Sequence, residues 1–390
     1  MQVIQIIPSI SLVYGGPSQM ILGFSAALVR QGVNVTILTT NSNGDQGQKP
    51  LDVPINKPVF QDGYQIRYFP CYPFRRYKFS PELLQWLYQH TNEFNIAHIH
   101  ALFSPVSTAS AMICRQKKLP YILRPLGTLD PADLEKKKLL KKAYITLFEK
   151  PNLAGAAALH FTSNQEAEVS KHFGLSTKDL IIPLGVNPPV KITEKQNIYS
   201  GSSSPRILFM SRIEPKKGLD LLIPALENLL TKNINFHFVL AGNNPQDAEY
   251  ETKIRHQIEQ SIIAKCTTIK GFVSGESKAT LLQEADIFVL PSYYENFGIA
   301  VAEAMVSGLP VVISNQVYIW KEIEQAKAGW VANCDVESLA GVLSLALQNA
   351  TERKQRGLNA QQYALKHYNW DNIAEQTIQT YQQILHSKTL

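Results

Sequence analysis

Strand-like and helix-like segments alternate along the 390 residues in two successive series, separated by one stretch of small polar residues. That alternation predicts an α/β fold built on parallel, doubly wound sheets, because parallel strands need a crossover that a helix supplies. A chain of 390 residues, 45% of them hydrophobic, exceeds one ordinary core and predicts two domains.

In the first series Gln2 to Ile7, Asn34 to Thr39, Gln65 to Phe69, Ile96 to His100, Tyr121 to Arg124, Ala157 to Phe161 and Leu180 to Pro183 read as strands. Pro17 to Gln31, Pro81 to Glu93, Ser104 to Lys117, Asp133 to Leu147 and Asn164 to Phe173 fill the gaps as helices. Lys191 to Pro205, carrying Gly201-Ser202-Ser203-Ser204-Pro205, reads as the interdomain linker. The alternation then resumes. Arg206 to Ser211, Phe236 to Gly242 and Thr267 to Phe272 are strands, with helices over Gly218 to Thr231 and Tyr250 to Ile262. Ala285 to Leu290 follows as a buried strand, then a helix over Phe297 to Ser307 closed by Gly308 and Pro310, a strand over Val311 to Ser314 and a helix over Val336 to Gln348. The expected domains are residues 1–190 and 206–370.

Composition excludes several classes. Cys71, Cys114, Cys266 and Cys334 are scattered, with no His at ligand spacing, so they read as reduced thiols of a cytoplasmic protein and not as disulfides or a zinc site. The start, Met1 to Pro8, lacks a basic n-region and reads as a first strand. No apolar run approaches a membrane span. The net charge of +6 is modest, and no nucleic-acid partner is expected. Within 136–148, however, Lys136, Lys137, Lys138, Lys141 and Lys142 share a helix with Leu139, Leu140, Tyr144, Ile145 and Phe148. Such a helix suits either an anionic membrane surface, giving peripheral attachment at the inner face of the plasma membrane, or a plain solvated face.

The chemistry concentrates where strands run into loops. In Pro291-Ser-Tyr-Tyr-Glu295-Asn296-Phe297-Gly298-Ile299 through Glu303 to Pro310, two carboxylates stand eight positions apart around a glycine. The unpaired amides of a helix start suit a diphosphate, and Glu295 and Glu303 can accept hydroxyl hydrogen bonds on either side of it. Eight helical residues span roughly 12 Å, the reach from a sugar across two phosphates to a ribose. Ser211-Arg212-Ile-Glu-Pro-Lys216-Lys217-Gly218 places two cations between a strand and a helix. Tyr14-Gly15-Gly16-Pro17 lies between the first strand and helix, where glycines permit close approach of a ligand; it is not the Gly-x-Gly-x-x-Gly pattern of dinucleotide enzymes. His98 and His100 point to one side of a strand, but only His100 reaches its carboxyl end, where ligands of such sheets bind.

The stretch from Glu295 to Glu303, with Gly298 and Gly308-Leu-Pro310, resembles the Glu-x7-Glu motif of retaining glycosyltransferases of family 4, whose GT-B fold sets two Rossmann-like domains facing across a cleft. The resemblance spans the chain and implies that the last helix, 371–388, packs back on the first domain. It also implies a phosphate clamp at Arg212 and Lys217, orientation of the donor hexose by Glu295, a ribose contact at Glu303, and His100 at the reacting sugar. Donor contacts are implied at Gly15, Gly16, Arg124, Gly242, Val273, Asn296, Phe297, Gly298 and Ile299. Tyr121-Ile-Leu-Arg124-Pro125-Leu-Gly127-Thr128-Leu-Asp130 is similar to the Arg-Pro-x-Gly-x-x-Asp loop of bacterial enzymes that assemble exopolysaccharide or envelope polysaccharide. Arg124 fits a ligand contact or a structural ion pair. The activity implied is transfer of a hexose from UDP-glucose or another UDP-hexose to a saccharide or lipid-linked saccharide. No metal or cofactor is expected, since the family lacks an Asp-x-Asp site and so does this chain. The alternative is a sugar-nucleotide-binding scaffold without turnover, against which the intact Arg212, Lys217, Glu295 and Glu303 argue.

Overall fold

Residues 1–45, 48–71, 78–129, 143–171, 177–188 and 204–387 are described by the structure, a computed structural model. The chain divides into two units: Met1–Gly185 with Trp370–Leu390, and Val186–Asn369.

In the first unit β1 (Gln2–Ser9), β2 (Asn34–Thr40), β3 (Pro58–Gln61), β4 (Tyr64–Phe69), β5 (Ile96–His100), β6 (Tyr121–Arg124), β7 (Ala158–Phe161) and β8 (Asp179–Ile181) form one sheet in the order β3-β4-β2-β1-β5-β6-β7-β8. The edge strand β3 runs antiparallel to β4; the other pairs are parallel. Strands β5, β6 and β7 are buried at every position, as parallel strands covered on both faces must be. The helices are α1 (Gly16–Arg30), α2 (Pro81–His90), α3 (Pro105–Gln116), α4 (Lys150–Ala154) and α5 (Asn164–Ser170). A π-helical turn at Ile145–Glu149 precedes α4. Most of the expected basic helix, residues 136–142, lies outside the described residues, as does Asp130.

The second unit holds β9 (Arg206–Met210), β10 (His237–Ala241), β11 (Thr267–Gly271), β12 (Ile287–Leu290), β13 (Val311–Ser314) and β14 (Gly329–Ala332), all parallel, in the order β11-β10-β9-β12-β13-β14. Its helices are α6 (Leu219–Thr231), α7 (Ala248–Gln260), α8 (Gly275–Glu284), α9 (Ile299–Val306), α10 (Trp320–Gln325), α11 (Val336–Gln348) and α12 (Ala350–His367). The strand order reverses between β9 and β12. Ligands of doubly wound sheets bind at the carboxyl ends of the strands beside such a reversal. The loops that leave these two strands are Ser211 to Gly218 and Pro291 to Gly298.

The final helix, α13 (Trp370–His386), belongs to the first unit and packs along α1. Trp370 sets its packing: its ring lies 6.3 Å from that of Phe24, and a Cβ at Gly23 or Gly185 would collide with it. The division falls at Gly185, ahead of the expected linker, of which residues 191–203 lie outside the described residues.

Candidate active site

The two loops at the strand reversal of the second unit are tied to each other. Tyr293 N donates to Lys216 O over 2.9 Å, and Tyr293 Oη donates to Asp220 Oδ2 over 2.7 Å. Gly218 is left-handed (φ 73), and a Cβ there would run into the Pro291 carbonyl, so this close approach requires glycine. Gly242 (φ 139) is likewise packed against the Ser211 carbonyl, so its missing side chain is filled by the protein itself. From this scaffold Lys217 Nζ and Glu295 Oε2 form an ion pair and hydrogen bond. Both side chains are largely buried, 10% and 18% exposed, which strengthens their mutual attraction. The Glu295 backbone is fixed too, its amide on Gln316 O at 3.0 Å and its carbonyl on Tyr318 N at 2.8 Å. Burial alone pushes the Glu295 carboxyl up, but Lys217, Lys216 and Arg212 together outweigh it and hold the group below its ordinary range. Arg212 and Lys216 both reach Glu214 Oε1, at 3.2 and 3.6 Å.

Two helix starts face this reversal. α6 follows Gly218 and α9 follows the left-handed Gly298 (φ 74), and neither helix has a side-chain cap, whereas Asp247, Asp335 and Asn349 cap α7, α11 and α12. The first bond of α9 runs from Val301 N to Gly298 O at 2.8 Å, so the amides of Gly298, Ile299 and Ala300 precede the helical ladder. Because α9 starts at Ile299, Glu295 stands ahead of the helix, and the helical-rise estimate of the Glu295 to Glu303 separation does not apply. Glu303, one turn into α9, pairs with Lys278 of α8 at 2.7 Å. The Phe297 ring is buried edge-on against Tyr368, with centroids 4.9 Å apart, so it anchors the loop from beneath. Asn296 lies between it and Glu295, and Val273 lies in the loop from β11 to α8. Sequence reasoning missed Lys278, whose partner 25 positions away leaves no local spacing to read, and Glu214, although it stands between Arg212 and Lys216 in the segment that carries the two cations.

In the first unit the strand order reverses between β1 and β5. Gly15 (φ 71) and Gly16 join β1 to α1, again with no side-chain cap. His100 ends β5, fully buried, its ring stacked on that of His98 at 4.6 Å. His100 Nε2 lies 2.6 Å from Gln5 Oε1. Arg124, beside it on β6, is 2% exposed; its Nη1 points at Met20 Sδ over 3.1 Å and it makes no ion pair among the described residues. Burial lowers it to about 10, opposed by Glu166 and Tyr381, which leaves it cationic at neutral pH. The following loop segments are strained and braced. Ala101 (φ 67) and Phe103 (φ 59) are left-handed, and Phe103 N donates to the buried Glu149 at 2.9 Å. Leu126 (φ 54) leads into Gly127, whose amide donates to the buried Glu166 at 3.0 Å.

Two family profiles match the chain, the Glycosyl transferase 4-like domain over residues 15–185 and Glycosyl transferases group 1 over residues 190–363. The chain belongs to the family 4 glycosyltransferases. The chain is 32% identical over 197 residues to a glycosyltransferase of Methanocaldococcus jannaschii, covering 49% of this chain and 48% of that one. It is 34% identical over 145 residues to the amylovoran biosynthesis glycosyltransferase AmsK of Erwinia amylovora, covering 35% of each. The aligned stretches thus span half or less of these relatives. HepE of Anabaena, solved in complex with UDP and glucose, superposes with a TM-score of 0.72 at 16% identity, covering 97% of this chain and 99% of HepE. The fold is that of the GT-B glycosyltransferases, two parallel-sheet α/β domains.

Proposed function

We propose that this glycosyltransferase moves a hexose from a nucleoside diphosphate sugar, UDP-glucose first among them, to a saccharide hydroxyl, with retention and without a metal. The observation that carries this reading is the buried Lys217–Glu295 pair between the two uncapped helix starts. A bound donor replaces the pair's internal contact: Lys217 and Arg212 turn to the diphosphate, and Glu295 accepts from hexose hydroxyls. As the bond from the anomeric carbon to the phosphate oxygen breaks, the leaving diphosphate gains charge. Two fixed cations and the first-turn amides of α9 stabilise that charge most in the transition state. The acceptor oxygen bonds to the same face of the anomeric carbon, and its proton passes to the departing phosphate oxygen, so no side-chain base is needed. Glu303 holds the ribose, oriented by its pairing with Lys278. The HepE complex with UDP and glucose supports the donor, and AmsK and the Arg124 loop support a polysaccharide-assembling acceptor, saccharide or lipid-linked.

Titration calorimetry tests these roles. Glu303→Ala weakens UDP and UDP-glucose alike, by roughly ten- to a hundredfold, the range for a lost hydrogen bond to a charged group. Glu295→Ala spares UDP and weakens only UDP-glucose. The reverse pattern would overturn the assignment, and loss of turnover upon EDTA with rescue by Mg²⁺ would overturn the metal-free step. Donor binding with no hydrolysis or transfer would favour the scaffold.

We also propose a cytoplasmic protein attached peripherally to anionic membrane through 136–148. The exposed Leu147 and Phe148 that follow the lysines support it, and no helix among the described residues is long and apolar enough to cross a membrane. Co-sedimentation with anionic liposomes at low salt, lost when Lys137, Lys138, Lys141 and Lys142 are replaced by Gln, is the expected result; failure of the wild type to co-sediment refutes the attachment.

A further inference from the structure

Inside the first unit a row of buried polar side chains crosses the sheet from β8 to His100. His160 Nε2 lies 2.9 Å from the Ile182 carbonyl, and His160 Nδ1 lies 3.1 Å from His98 Nε2. His98 Nδ1 lies 2.7 Å from Tyr381 Oη, Gln5 Nε2 lies 3.4 Å from the same oxygen, and Gln5 Oε1 lies 2.6 Å from His100 Nε2. All five side chains are buried. Burial first, and the nearby Arg124 cation with it, lowers all three histidines well below their ordinary range, so each carries one ring proton at neutral pH.

With one proton per ring, a single end point determines every other position. A carbonyl only accepts, so His160 donates from Nε2 to Ile182 and accepts at Nδ1. His98 must then donate from Nε2 and accept at Nδ1. Tyr381 therefore donates to His98, and its oxygen accepts from the Gln5 amide. Gln5 turns its carbonyl to His100, which must donate from Nε2. His100 is left with an unprotonated Nδ1. That atom has no hydrogen-bond partner among the described residues, nor do Nε and Nη2 of Arg124, whose residue pairs with His100 in the β5–β6 register. A hydroxyl suits both ends, accepting from the guanidinium and donating to Nδ1; an anion has no proton to give Nδ1.

We propose that Tyr381 of the C-terminal helix is a positioning residue, which through His98 and Gln5 locks His100 in the Nε2–H tautomer and so makes it an acceptor for a sugar hydroxyl. The ligand half of this rests on the proposed function; the tautomer half does not. The relay explains why a helix from the end of the chain supplies a polar side chain to the middle of the first sheet.

Long-range ¹H–¹⁵N NMR of the full chain labelled in histidine reads the tautomer directly. The ligand-free wild type is expected to show His100 protonated at Nε2 alone; an Nδ1–H tautomer or an imidazolium would overturn the proposal. Tyr381→Phe removes both hydrogen bonds and lets the Gln5 amide turn over, so His100 becomes a mixture of tautomers. Its kcat is expected to fall at least tenfold while UDP affinity is unchanged. If Tyr381→Phe fails to fold, Gln5→Met cuts the same relay and carries the same expectations. An unchanged single tautomer in the variants overturns the relay, and a shifted tautomer with unchanged kcat overturns the positioning role alone.

Discussion

Lys217 and Glu295 bind the free energies of charge, burial and catalysis into one pair. The cations depress the Glu295 carboxyl, so its contribution to stability is present above the unfolded value and is lost as pH falls through the lower folded one. Lys217→Met leaves burial unopposed by its main counter-charge, and the carboxyl then protonates at higher pH. The acidic limb of UDP-glucose binding, followed by calorimetry against pH, should move upward, and kcat should fall on the order of a hundredfold. The buried histidines set the stability of the first unit in the same way. Their folded values lie below the ordinary 6.5, so below that pH the unfolded chain takes up protons the folded chain refuses. Stability is therefore full above the unfolded value and falls with acidification, by about 1.4 kcal/mol per pH unit for each histidine. His160→Gln should reduce that slope by one such increment between pH 6 and pH 5 in urea titrations, since one proton uptake is gone. The polar Gln5 inside the apolar run Val3 to Ile7 was the readable sign of this network; Tyr381, 376 positions later in the chain, left none.

Elements were legible in proportion to how fully they are buried. The runs Ile96–His100, Tyr121–Arg124 and Val311–Ser314 were placed to the residue because each strand is buried at every position, which leaves a short, mostly apolar run bounded by loop residues. The edge strand Pro58–Gln61 was missed, since three of its four residues are exposed and carry no pattern. Its turn did carry one: Asp62 (φ 46) and Gly63 (φ 83) form the Asp-Gly corner that joins antiparallel strands. β14 and α12 were missed for different reasons, one opening on a glycine and closing on an alanine, which carry little strand signal, and the other being mostly polar along its length. Loop conformation is where the site resides, and it was legible only through glycine. Gly218→Ala should cost about 1–2 kcal/mol for the left-handed backbone alone, with the collision against the Pro291 carbonyl added. A drop in the urea midpoint of the second unit, together with weakened UDP-glucose binding, is the expected result, because the same collision pushes the Lys217 and Glu295 loops apart. An unchanged midpoint would mean that the loops do not approach this closely.

The whole chain is not two beads in series, because the first unit is completed only by the last helix. Trp370 fills the notch left by Gly23 and Gly185, Tyr381 enters the polar row, and Arg30 pairs with Asp371 at 2.6 Å on the surface. The exposed ion pair adds little. Trp370 is 7% exposed, and its removal falls in the range of about 3–5 kcal/mol for a large aromatic side chain in a core. Residues 186–369, by contrast, are continuous in sequence and hold a complete six-stranded sheet with its own helices and the Lys217–Glu295 pair. During synthesis the second unit can therefore fold before the first is finished. A fragment of residues 186–369 should melt cooperatively by circular dichroism and still bind UDP, since the groups assigned to the diphosphate and ribose all lie within it. Residues 1–369 should show the second unit's transition but lose that of the first, with the apolar face of α1 exposed to dyes such as ANS. If 1–369 retains both transitions, the C-terminal helix is an accessory rather than a structural member of the first unit, and the relay through Tyr381 loses its structural basis with it.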